Sequence, residues 1–156
     1  MTIVSAICNS FKQEILVEGH NFTGSTDTFK ISLYSSDSAT LNKSTTAYAS
    51  PADGTADPTS TYEVTSTASG YTTGGNSLSS TTPVLSGDTA CCKFADTSWG
   101  SSASFTARGC MIFNDSASGD PSVCCIDFGG DKTATNGTFT IQFPTADSSD
   151  AIIRIA

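Results

Sequence analysis

Three apolar runs, Ala90-Cys91-Cys92-Lys93-Phe94, Ala107-Arg108-Gly109-Cys110-Met111-Ile112-Phe113 and Val123-Cys124-Cys125-Ile126-Asp127-Phe128, follow one another across polar loops. Each is five to seven residues long and ends at or near Asp, Asn or Gly. Runs of that length between turn residues are too short for an average helix and read as buried strands. Five of the six cysteines lie within them, which makes the thiols core residues rather than a reactive surface cluster.

The flanking sequence extends the same reading. Thr28-Phe29-Lys30-Ile31-Ser32-Leu33-Tyr34 alternates, with Phe29, Ile31 and Leu33 on one face. Thr138-Phe139-Thr140-Ile141-Gln142-Phe143 alternates again, Ala151-Ile152-Ile153-Arg154-Ile155-Ala156 closes the chain, and Thr82-Pro83-Val84-Leu85 is a weaker strand signal. Gly129-Gly130-Asp131 and Asn136-Gly137 predict turns, and residues 100–104 a link after Trp99. The one helical pattern spans residues 4–18, where Val4, Ile7, Cys8, Phe11 and Ile15 recur at spacings of three and four. Ser5 or Thr2 is its expected cap and Gly19 its expected left-handed C′ residue. About seven strands at roughly 10–15-residue spacing after one helix predict a mainly β fold, an antiparallel β-sandwich of jelly-roll-like character with an N-terminal amphipathic helix.

At 156 residues the chain suits one domain. Residues 35–75 form a polar, loop-rich insertion, punctuated by Pro51-Ala52-Asp53-Gly54 and Asp57-Pro58 and closed by Gly70-Tyr71-Thr72-Thr73-Gly74-Gly75. A helical turn is expected over residues 39–47, and the closing glycines suit positive φ or close backbone approach. An insertion this long implies a functional lobe or a flexible insertion.

Fifteen acidic against seven basic residues give a net charge of −8 with no basic cluster, which argues against nucleic acid as a partner. No run approaches the ~20 apolar residues of a membrane helix, and the N-terminus lacks a basic n-region, so cytoplasmic synthesis is the expectation. The four Asn-x-Ser/Thr matches then reflect the high Ser/Thr content. Adjacent cysteines do not fit C-x₂₋₄-C zinc spacing, and buried free thiols are preferred over cross-strand disulfides or a metal site.

No catalytic motif is present, and the chain reads as non-enzymatic, without cofactor or metal. His20 is the single imidazole and sits just past the helix, where a turn role is preferred to catalysis. Asp127 with Asp131, and Asn114 with Asp115 and Asp120, lack EF-hand spacing, so turn chemistry is preferred to calcium. Trp99, Tyr48, Tyr62 and Tyr71 are candidates for a sugar-stacking surface, with Trp99 beside a strand end more simply read as core. Arg108 and Arg154 interrupt apolar strands; each pairs with an acid in its own subunit, such as Asp127, or fixes register across an interface, and both readings stay open.

Phe11, His20-Asn21-Phe22, Asp27-Thr28-Phe29-Lys30-Ile31-Ser32-Leu33-Tyr34, Thr45-Thr46-Ala47-Tyr48 and Gly70-Tyr71-Thr72-Thr73-Gly74-Gly75 together resemble a family of small structural proteins of tailed bacteriophages, cyanophages among them. The resemblance continues through Phe94-Ala95-Asp96-Thr97-Ser98-Trp99, Ala107-Arg108-Gly109, Asp127-Phe128-Gly129-Gly130-Asp131-Lys132, Ile141-Gln142-Phe143-Pro144 and the terminal strand. Double cysteines stand where that family pattern has ordinary apolar residues, and the segment 49–63 is longer than the pattern. The resemblance implies a virion component made in the host cytoplasm: a decoration or cement protein, expected as a homotrimer, with the major capsid protein or other virion proteins as partners. Tail, neck or fibre association and a carbohydrate-binding surface module are the alternatives. The expected interface residues are Phe11 in the N-terminal segment, Tyr48 and Tyr71 in the lobe, and Arg108 and Arg154.

Overall fold

The computed structural model describes residues 3–24, 26–35, 40–48, 62–65 and 68–156. In chain order the elements are β1 (Ala6–Ile7), α1 (Asn9–Glu14) with a 3-10 turn at Ile15–Val17, β2 (Phe29–Tyr34), β3 (Asn76–Leu78), β4 (Val84–Ser86), β5 (Thr89–Cys92), β6 (Thr97–Asn114), β7 (Ser122–Ile141) and β8 (Ile153–Ile155). They form two antiparallel sheets, one ordered β1-β7-β6-β2-β3 and one ordered β4-β5-β8. The chain is mainly β with a short N-terminal helix, as its alternating and short apolar runs require.

The organising feature is the β6–β7 hairpin, whose strands are 18 and 20 residues long. Its inner halves are the expected buried strands: Gly109–Ile112 pairs with Cys124–Asp127, and Cys110, Met111, Ile112, Val123, Cys124 and Cys125 are buried. The outer halves correct the sequence reading, because the expected turns and link are bulges within continuous strands. Residues 128–131 of β7 lie opposite the single residue Arg108, and 100–102 of β6 lie opposite Thr138. Gly129 (φ +71°) and Asn136 (φ +45°) supply the left-handed conformations that the irregularities need. The same residues that close a turn also absorb an extra residue in a strand whose partner continues opposite.

β2 pairs with β6 from Phe29↔Asn114 to Tyr34↔Gly109 and with β3 on its other side, so its predicted apolar face lies in the middle of the large sheet. Both sheets contribute to one core. Phe29 of β2 stacks on Phe22 at 4.5 Å between ring centres and meets Phe94 just after β5 at 5.5 Å, and Phe94 meets Phe143 at 5.6 Å. Cys92 of β5 and Ile153 of β8 join the same cluster. Each fully buried Phe, Ile or Leu contributes about 1.5–3 kcal/mol, so sharing these side chains couples the sheets strongly.

The N-terminal reading is corrected in two places. Ala6 and Ile7 pair with Cys125 and Cys124 as a short edge strand, which shortens the helix to Asn9–Glu14. Cys8 occupies the cap position without a side-chain cap, and Ser5 Oγ instead accepts the Asp127 amide at 2.9 Å. The left-handed residue is Glu18 (φ +60°), one position before Gly19. Gly19 serves close approach: its amide donates to the Glu14 carbonyl at 2.8 Å, and a Cβ there would stand 2.9 Å from that oxygen.

Within the insertion, the expected helical turn at 39–47 is an Asx-type turn over its described residues: Asn42 Oδ1 accepts the Ser44 amide at 2.7 Å, and Thr45 Oγ1 accepts the Asn42 amide. Leu41, Thr45, Val64 and Tyr71 are buried, so its described parts are anchored in the core. The Pro51 and Asp57 turn signals lie outside the described residues.

Candidate interaction surface

The lobe's end is gathered around one buried acid. Glu63, 3% exposed, accepts Tyr71 Oη at 2.5 Å and the Gly74 amide at 2.8 Å on Oε1, and Tyr48 Oη at 2.7 Å on Oε2. Tyr71 Oη in turn accepts the Leu33 amide at 3.0 Å. Backbone bonds from Val64 to Leu33 and from Ser35 to Tyr62 tie the same segment to the end of β2. A buried carboxylate is tolerated when its oxygens are met in this way. Sequence reasoning missed Glu63, an acid in a Ser- and Thr-rich stretch that carries no signal of burial.

His20 lies against Phe11 and Phe29, its Nε2 2.8 Å from Glu14 Oε2 and its Nδ1 3.2 Å from Asn114 Nδ2. Asn114 Oδ1 accepts from Ser116 and Ala117, which fixes its amide as a donor toward His20 and Asp27. Nδ1 is therefore the acceptor and Nε2 the donor, and the acid–imidazole pair ends on an amide rather than on a nucleophile. The turn role expected for His20 is replaced by a buried polar clasp between the helix and β6.

The loop acids are also engaged internally. Lys30 Nζ meets Asp115 at 3.0 Å, and Arg108 meets Asp127 at 3.1 Å and Asp131 at 3.9 Å. Arg108 thus takes the same-subunit alternative, bridging the two acids that flank the Phe128–Asp131 bulge. Arg154 Nη1 is held by the Ser148 and Ser149 carbonyls. Of the other expected interface residues, Phe11 (2% exposed) and Tyr71 (4%) are buried in this chain's own core, and Tyr48 is half-buried, stacked on Phe113. Trp99 is buried against Tyr71, Phe105 and Phe139, in keeping with its reading as a core residue rather than part of a sugar-stacking surface.

All six cysteines are free and buried. Cys124 and Cys125 point to opposite faces of β7, and Cys125 meets Cys8 at 4.0 Å between sulfurs. Burial pushes the Cys92 thiol up to about 12 and raises Cys110 and Cys124 as well. Cys125 is raised first by its hydrogen bond with Cys8 and then by burial, while the same bond lowers Cys8. These two shifts oppose each other, so the pH dependence rests on Cys92, Cys110 and Cys124. Tyr34 and Tyr71 are raised, chiefly by burial. Above the ordinary thiol value of 9.0 the unfolded chain loses protons that the folded chain keeps, so stability is full below about pH 9 and falls as pH rises toward 12. Urea unfolding at pH 7, 9 and 10 is expected to show a midpoint that holds to pH 9 and then drops, each such group contributing at most about 1.4 kcal/mol per pH unit. A midpoint unchanged at pH 10 would contradict this assignment.

The surface itself carries an aliphatic strip. Among the described residues the exposed large apolar side chains are Leu16 (83%), Leu85 (77%), Val17 (73%), Val4 (50%), Ile155 (50%) and Val84 (45%). Leu85, Ala90 and Ile155 are register partners and form one row across the small sheet. Ile155 also lines a groove of about 260 Å³ between β8 and α1, which Leu16 closes from the other side. The row and the groove together make a continuous apolar strip at one end of the fold. A second groove, about 540 Å³, follows the outer edge of β7 past Phe128, Phe139 and Phe143. Among the described residues that edge pairs with β1 at Cys124 and Cys125 alone. Its bulge and Lys132 are features that blunt strand addition. No family model, curated protein or solved structure matches this chain.

Proposed function

We propose that the chain is a structural component of a tailed-bacteriophage particle, acting as a capsid decoration or cement protein that buries surface against neighbouring subunits. The observation that carries this reading is the aliphatic strip formed by Leu16, Ile155, Ala90 and Leu85. Burying apolar area yields about 25 cal/mol per Å², and a protein that gains this only on the assembled shell stabilises the shell by mass action. The sequence resemblance supplies the particle. A tail or neck station would use the same chemistry. A carbohydrate module would instead stack aromatic rings on sugars, whereas the exposed large apolar residues among the described ones are aliphatic.

The test is light scattering followed by cosedimentation with capsids that lack the protein. The expected mass is three times the 16.0 kDa chain, with saturable capsid binding. Leu16→Asp with Leu85→Asp is expected to abolish binding while circular dichroism stays native, since both side chains point to solvent in the isolated chain. A monomer that does not sediment with capsids contradicts the proposal. Deleting residues 49–61, which lie outside the described residues, tests the lobe: retained binding excludes it as a contact.

A further inference from the structure

We propose that the groove between α1 and β8 is a docking site for an extended acidic segment of a partner protein. The segment adds to the free edge of β8, sets aliphatic side chains between Ile15, Leu16 and Ile155, and places its carboxylates on Lys12 and Arg154. This deepens the reading above, on which it rests for the chain being an interaction protein.

Three observations carry it. First, β8 ends the order β4-β5-β8, so one of its edges has no strand partner among the described residues and offers backbone donors and acceptors. Adding an extended peptide to such an edge is a recurring recognition mode, with side-chain pockets beside the edge giving specificity. Second, the groove walls combine Phe11 and aliphatic residues with Lys12 and Arg154, and among the described residues they include no Asp or Glu. In a chain with 7 basic against 15 acidic residues, two cations on one small groove are a marked local excess. Lys30 and Arg108 are neutralised by Asp115, Asp127 and Asp131, whereas Lys12 Nζ rests on Asn9 Oδ1 at 3.3 Å and Arg154 on two carbonyls. The Asp147 carboxyl is held below the usual range first by its bonds from Thr145 Oγ1 and the Asp150 and Ser149 amides, and behind them by the nearby Arg154 charge. Among the described residues, however, Arg154 has no direct ion pair and keeps the rest of its guanidinium for a second carboxylate. The charge complement of this rim is a carboxylate at each end of an apolar segment. Third, about 260 Å³ lies below the roughly 300–1,000 Å³ of small-molecule sites, so the groove suits a few side chains and not a whole ligand.

The probe is the capped peptide Asp-Val-Ile-Val-Asp, titrated into the full ¹⁵N-labelled chain at low salt, with Lys-Val-Ile-Val-Lys and dodecanoate as comparisons. Expected are amide shifts confined to Lys12, Leu16, Arg154, Ile155 and their neighbours, weakened by salt, with a dissociation constant below about 1 mM. Lys12→Glu with Arg154→Glu, both on exposed residues and checked for native circular dichroism, is expected to weaken binding about tenfold. The proposal is overturned if the lysine peptide binds equally well, if the double variant binds unchanged, or if shifts fall elsewhere. Dodecanoate moving these amides while the acidic peptide does not assigns the groove to an anionic amphiphile and also overturns it. So do groove shifts that track protein concentration alone, which mark a second copy as the occupant. Capsid cosedimentation is scored separately: a silent peptide with retained capsid binding removes this site and leaves the virion reading standing.

Discussion

Gly75→Ala is expected to destabilise the chain by roughly 3–5 kcal/mol, enough to unfold a marginal domain. Gly75 adopts φ +70°, where an L side chain costs about 1–2 kcal/mol. The larger part is steric. A Cβ at this position would overlap the Ile31 carbonyl and stand 2.9 Å from Ser32 Cα. Those atoms belong to the interior strand β2, where Ile31 is paired with Asn76 on one side and Ile112 on the other. They cannot retreat without breaking a ladder, so β3 must move off β2 and carry buried Leu78 with it. Gly87→Ala is the control. Gly87 (φ +62°) opens the two-residue turn between β4 and β5, and a Cβ there meets nothing within 4 Å. It is expected to cost only about 1–2 kcal/mol, the conformational part alone. Urea unfolding of the two variants separates strain from overlap, and equal losses would show that the overlap is relieved.

Glu63→Ala is expected to cost about 3–5 kcal/mol, because it removes the acceptor of one buried donor and two part-buried ones. Tyr48, Tyr71 and the Gly74 amide all point at this carboxylate, and the Gly74 amide cannot turn elsewhere. Glu63→Gln should cost less. Its carbonyl oxygen can keep Tyr71 and Gly74 while its amide faces Tyr48, whose hydroxyl can rotate to accept. Tyr48→Phe, which removes one donor and leaves the rest of the network, should cost about 1 kcal/mol. The order Ala, Gln, Phe in decreasing loss, measured by denaturant unfolding, is the signature of a hydrogen-bonded anchor. If Glu63→Ala falls within about 0.5 kcal/mol of wild type, the acid does not hold the lobe.

These two positions differ in how far the sequence exposed them. The Gly74-Gly75 pair was legible as a place of positive φ or close approach, since glycine is the default residue there. Its partner, Ile31, lies 44 positions earlier, and only the fold names it. Glu63 was not legible at all, because a lone Glu in a polar stretch is normally solvated, and the tyrosines that bury it come from separate segments. His20 repeats the lesson: its neighbour Glu14 is local, but Asn114 is 94 residues away and decides which ring nitrogen carries the proton.

The apolar runs, the alternation from Phe29 to Leu33 and the turn-rich spacing were enough by themselves to determine a mainly β chain with buried cysteines. Those signals are local, since side-chain period and residue size are written in neighbouring positions. Strand length, the fate of residues 6–7 and the exposed strip were decided only by tertiary structure. Gly129 and Asn136 satisfy a turn and a bulge equally well, and the choice depends on whether β6 continues opposite them. Val4, Ile7 and Phe11 share a helical period, yet Ala6 and Ile7 gain backbone partners on β7 that a helix cannot offer. Leu16, Leu85 and Ile155 look like ordinary core residues in sequence. Register and the end of the small sheet leave Leu85 and Ile155 at the surface, and Leu16 is left there by the 3-10 turn that ends the helix.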